Sequence, residues 1–90
     1  MREKESSAGS LTLALLREDQ VHVADNVARY RLYEGNFASA QYYVEVTFEN
    51  ERSAAYLGED ATRAMTAYQM ILGGTVTPCT LQAIVEDLFM

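Results

Sequence analysis

Proline, cysteine and histidine each occur once in these 90 residues, and tryptophan does not occur. A lone cysteine, Cys79, excludes a disulfide within the chain and suits a reducing compartment. Cys79 and His22 are the only sulfur and imidazole donors, so a structural zinc site within one subunit lacks ligands. No acidic loop follows the spacing of a calcium site. The residues therefore argue for no metal and no cofactor. Lysine is equally scarce: Lys4 stands alone, so no lysine-rich patch can form. The 13 acidic residues outweigh 7 basic ones, a net charge of −6. That charge repels a phosphate backbone and an anionic membrane. Neither nucleic acid nor membrane is expected as a partner. The early apolar run Leu11–Leu16 stops at Arg17-Glu18-Asp19, too short for an export signal or a span. The expected location is the cytoplasm.

What is present suffices for one small domain. Apolar residues make up 49% of the chain, enough for a packed core. Residues 1–9 are polar, with Ser-Ser-Ala-Gly, and read as a flexible tail; residues 10–90 form the domain. Leu11, Leu13 and Leu15 alternate with Thr12, Ala14 and Leu16, which fits a strand. A helix over 10–18 fits as well. The strand is preferred because the segments that follow are strands and a meander needs partners. Residues 17–26 are mostly polar, with a brief extended piece at Val21–Val23 and a turn at Asp25-Asn26.

Val27–Tyr33 reads as a strand with Ala28, Tyr30 and Leu32 on one face and Arg29, Arg31 and Tyr33 on the other. Gly35-Asn36 is expected to break it. Tyr42, Val44, Val46 and Phe48 then alternate with polar residues, the cleanest period of two in the chain. A tight turn at Glu49-Asn50-Glu51 leads to Arg52–Leu57, with faces Arg52/Ala54/Tyr56 and Ser53/Ala55/Leu57. At Gly58-Glu59-Asp60 the period changes. Asp60 can cap a helix to about Leu72, with Ala61, Ala64, Met65, Tyr68, Ile71 and Leu72 on its apolar stripe. Gly73-Gly74 should end it with a left-handed residue. Thr77 can cap a second helix with Pro78 at its first position and Leu81, Ile84, Val85 and Leu88 facing inward. Strands followed by helices predict an α+β fold: an antiparallel β-meander of three to four strands with two C-terminal helices packed on one sheet face.

Tyr30-Arg31-Leu32, the extended Tyr42–Phe48 run, and Thr75-Val76-Thr77-Pro78 followed by Leu81, Val85 and Glu86 resemble a family of short uncharacterised proteins of clostridia and related gut bacteria, a domain of unknown function. The resemblance covers about residues 28–90 and rests mainly on a capped helix and its stripe. It implies a bacterial protein and brings no activity or catalytic residues with it.

Few residues carry chemistry. Cys79 falls in the first turn of the last helix, where a helix dipole favours a thiolate, so it is a candidate reactive thiol. His22 would be its base, although nothing in the sequence joins the two. A packed or idle thiol is the plainer reading. Arg29 and Arg31 share a face with Tyr33, with Arg52 on a nearby strand. They could grip an anion, but cross-strand pairing with Glu45 or Glu49 is the plainer reading. Six tyrosines accompany no tryptophan. Tyr33 and Tyr43 fall on the face assigned to water, where aromatics mark contact surfaces. Ala67 and Met70 widen the first helix's stripe, and Glu86 and Asp87 place negative charge where the dipole disfavours it.

These features suggest a protein-binding or regulatory module, a homodimer that contacts its partner through Arg29, Arg31, Tyr33 and Tyr43, with an acidic periphery for a basic protein. The alternative is a small-molecule-binding protein or minor enzyme with a pocket between helices and sheet, anchored by Cys79 or the arginine pair.

Overall fold

The computed structural model describes residues 13–36 and 40–89. The tail at 1–9 and the first residues of the Leu-rich segment, 10–12, lie outside the described residues, as does Met90. Four strands come first: β1 (Leu13–Val23), β2 (Asn26–Asn36), β3 (Ala40–Phe48) and β4 (Glu51–Gly58). Two helices follow, α1 (Ala61–Gly73) and α2 (Pro78–Leu88). The strands form one antiparallel sheet in the order β1-β2-β3-β4, and the helices pack on one of its faces. The α+β meander read from the sequence is the observed fold.

Alternation sets the faces. Ala28, Tyr30 and Leu32 of β2, Tyr42, Val44 and Val46 of β3, and Ala55 and Leu57 of β4 point to the helices and are buried. They meet Ala64, Ala67, Tyr68 and Ile71 of α1 and Leu81 and Val85 of α2 in one core. Full burial of a side chain the size of Leu57 or Leu81 contributes about 1.5–3 kcal/mol relative to exposure. Two core tyrosines keep their hydroxyls satisfied. Tyr30 Oη donates to the Val76 carbonyl at 3.0 Å, and Tyr68 Oη lies within hydrogen-bond reach of Asp19 and the Tyr30 carbonyl.

Several boundaries differ from the sequence reading. β1 is one strand of 11 residues, not a Leu-rich piece and a separate Val21–Val23 piece. Pairing with β2 overrides the polar run Arg17-Glu18-Asp19-Gln20, each residue of which has a partner on β2. The first turn is Ala24-Asp25, and Asn26 already belongs to β2. Gly35-Asn36 does not break β2: Gly35 pairs with both Leu13 and Gln41, so neighbours on both sides hold it extended. The β3–β4 turn is Glu49-Asn50 alone, and Glu51 opens β4.

The helix ends follow capping chemistry with two corrections. Asp60 caps α1, its Oδ1 accepting from the Thr62 and Arg63 N–H groups at 2.9 and 3.1 Å. At the other end Gly74 has φ −86, and the left-handed residue is Thr75 at φ 50. The Thr75 N–H reaches the Leu72 carbonyl and the Val76 N–H reaches the Ile71 carbonyl, a Schellman closure with threonine where glycine usually sits. Thr77 occupies the N-cap position of α2, with Pro78 first in the helix, but its side chain makes no capping bond to the backbone. Thr77 Oγ1 turns to Thr80 Oγ1 and Cys79 Sγ at 3.2 and 3.5 Å.

Candidate functional site: the open face of the sheet

The helices pack on one sheet face only; among the described residues no element covers the other, and strand register fixes what it displays. Leu15 of β1 stands opposite Tyr33 of β2, Tyr33 opposite Tyr43 of β3, and Tyr43 opposite Tyr56 of β4. One apolar row thus crosses all four strands. Leu13, opposite Gly35, extends it at the β1 end. Leu13, Leu15 and Tyr56 are about half exposed, at 51%, 51% and 48%. Tyr33 and Tyr43 are partly covered by their neighbours. The Tyr43 and Tyr56 rings pack at 5.4 Å between centroids, tilted by 52°. Tyr43 Oη donates to Gln41 Oε1 at 2.9 Å. Partial desolvation first, and the nearby Glu59 carboxylate second, raise the Tyr56 hydroxyl above its ordinary range.

Two irregularities bring this row into line. The β1–β2 register shifts between Leu15 and Arg17, and the β3–β4 register shifts between Tyr42 and Tyr43. The first returns Arg17 and Asp19 to the helix side, opposite Leu32 and Tyr30, while Leu13 and Leu15 stay on the open side. There Arg17 pairs with Asp19 at 3.5 Å and lies 5.8 Å from the Tyr68 ring centroid.

A charged row runs beside the apolar one. Arg31 Nε donates to Glu18 Oε2 at 2.6 Å and Arg31 Nη1 to Glu45 Oε1 at 3.4 Å. Arg52 Nε lies 3.6 Å from Glu45 Oε2. The chain Glu18–Arg31–Glu45–Arg52 therefore crosses from β1 to β4. Above all its bond to Glu18 holds the Arg31 guanidinium above the ordinary arginine range. Cross-strand pairing, not an empty anion grip, is what the structure shows for Arg31. Arg29 is exposed one row further on, opposite Gln20 and Thr47, with no ion pair among the described residues.

All four expected surface residues, Arg29, Arg31, Tyr33 and Tyr43, lie together on this face. Sequence reasoning missed Leu15 and Tyr56 as members of the same row. Tyr56 was legible from its alternation with Ala55 and Leu57, whereas Leu15 depended on a register that no local pattern sets. Cys79 is exposed at the start of α2, away from this row, and its described hydrogen-bond contact is Thr77, not His22. His22 is exposed on β1 opposite Val27.

Two surface grooves flank α2. One, of about 170 Å³, lies between the helices beside Arg63, Met70 and Phe89. The other, of about 320 Å³, lies between β4 and α2. Cys79, Arg29 and Arg31 line neither, so they do not anchor these grooves. Among the described residues no helix is long and apolar enough to cross a membrane, and no three metal-binding side chains converge. Comparison with protein-family models, curated proteins and solved structures finds no match to this chain.

Proposed function

We propose that this protein is a protein-binding module that works as a homodimer, its subunits meeting through the open faces of their sheets. The row Leu15–Tyr33–Tyr43–Tyr56 carries this reading. Aromatic anchors in a row, rimmed by charges already paired within the subunit, are the anatomy of a contact surface. Area supports it too. Four strands about 4.8 Å apart and about eight residues long present roughly 500 Å². Two such faces bury about 1,000 Å², the lower bound of a specific interface. The internally compensated row Glu18–Arg31–Glu45–Arg52 lets two like faces approach without opposing a large single-sign field.

The exposed thiol of Cys79 suits the reducing cytoplasm as the place of work. Kinship with the clostridial family of unknown function is proposed on the segments that carry the resemblance. The strand segments Tyr30–Leu32 and Tyr42–Phe48 supply the core face, and Thr75–Pro78 closes α1 and opens α2.

Light scattering over a tenfold concentration range tests the dimer. A mass of twice 10.1 kDa is the expected result, and 10.1 kDa throughout would overturn it.

A further inference from the structure

We propose that the groove between β4 and α2 receives an extended, basic peptide with apolar residues at alternate positions, which adds to the β4 edge as a fifth strand. This goes beyond the dimer reading and rests on the β4 edge and α2, with Tyr56 common to both surfaces.

The edge is available. Among the described residues β4 ends the sheet order, and no other strand lies along the outer side of its backbone. Among the described residues no turn, loop or cap hydrogen bond reaches Glu51–Gly58 from elsewhere. A row of outward N–H and C=O groups is a template for another strand. At Gly58 an added side chain would meet nothing within 4 Å, so the approach to the backbone is open there.

The edge also has a wall beside it. Gln82, Val85 and Glu86 of α2, with Phe89 just beyond its end, face Tyr56 and Gly58 across a largely apolar groove of about 320 Å³. Strand-plus-helix grooves of this kind take peptides by main-chain pairing, with alternate side chains seated against the helix. The apolar residues of the peptide would rest on Val85 and Phe89.

Charge selects the rest of the occupant. Glu86 lines the groove, and Glu59 lies close enough to raise the Tyr56 hydroxyl. Among the described residues no Lys or Arg lines it. The described ion pairs belong to Arg17, Arg31 and Arg52 on the sheet, and none engages Glu59 or Glu86. A net charge of −6 draws the same partner at longer range. Both edge strands carry a bulge, but the opposite edge is a poorer template because the run Arg17-Glu18-Asp19 puts charge along the middle of β1, a device that discourages strand addition.

Fluorescence anisotropy on the full chain, near physiological salt, tests this with a labelled octapeptide of alternating valine and lysine. Saturable binding is expected. A serine–lysine peptide of equal charge should bind roughly tenfold more weakly, as should a peptide with proline at two central positions. Glu86→Lys, an exposed change that leaves the core alone, should weaken the valine–lysine peptide by about the same factor. Leu15→Ser with Tyr33→Ser, on the strands away from β4, should leave it within about twofold, which separates the groove from the open face. Absence of saturable binding, equal binding of the serine–lysine or proline peptide, or indifference to Glu86→Lys would each overturn the proposal.

Discussion

Tyr68 of α1 places its hydroxyl 2.8 Å from the Asp19 carboxylate of β1 and 2.9 Å from the Tyr30 carbonyl of β2, so one proton serves two acceptors. The contact ties the edge strand to the helical layer. Removing the hydroxyl with Tyr68→Phe takes a buried donor from the Tyr30 carbonyl and from the Asp19 carboxylate, which keeps Arg17 at 3.5 Å. The expected loss is about 1–3 kcal/mol in urea unfolding. Asp19→Asn keeps an acceptor in place and should cost less than half as much.

The same hydroxyl makes stability fall in alkali. Burial first, and the Asp19 bond second, hold Tyr68 well above the ordinary value of 10.0. In the unfolded chain it ionises near 10.0, so between the two values only the folded state keeps the proton. Its contribution is complete below about pH 10 and is lost as pH rises towards the folded value. Tyr30, raised by burial, acts with the same sign. Urea midpoints measured upward from about pH 9 should fall, and Tyr68→Phe should flatten the decline. A steeper decline in the variant would contradict this assignment.

Thr75 stands left-handed at φ 50, a conformation that is costly for a β-branched residue. Thr75→Gly keeps the Schellman bonds and relieves that strain. Stability should rise by about 0.5–1 kcal/mol after the added flexibility of the unfolded chain is deducted. Thermal melts of the two proteins decide it; a lower midpoint for the glycine variant would show that the threonine side chain contributes more than its backbone costs.

Replacing both central rings of the open row, Tyr33→Ser with Tyr43→Ser, should dissociate the dimer by roughly a hundredfold in Kd while leaving circular dichroism unchanged. Arg29→Ser, one row removed, should have a much smaller effect. Equal loss from both changes would move the interface towards the charged rows.

Much of this architecture was legible from alternation. Tyr42–Phe48 and Ala28–Leu32 declare their buried faces because apolar and polar residues strictly alternate. Asp60 and Pro78 mark the helix starts because capping is local chemistry. Less legible was whatever a neighbouring strand decides. Arg17–Gln20 looks like a loop by composition but is held extended along β2. Gly35 looks like a breaker but is flanked by β1 and β3. The open site was half visible for the same reason. Tyr33 and Tyr43 could be assigned to a face, but their alignment with Leu15 and Tyr56 depends on two register shifts that exist only in the assembled sheet.

The meander order has a kinetic consequence. Each strand pairs with its successor, and two-residue turns at Ala24-Asp25 and Glu49-Asn50 close two of the three hairpins. Such closures are fast, because little chain entropy is lost before the first contacts form. The slow closure is the return of α1 to the first hairpin, where Tyr68 meets partners 49 and 38 residues earlier. This order predicts that the helices dock late in folding and undock early in unfolding. A fault at Tyr68 should show mainly as a shorter-lived native state, with the rate of sheet formation nearly unchanged.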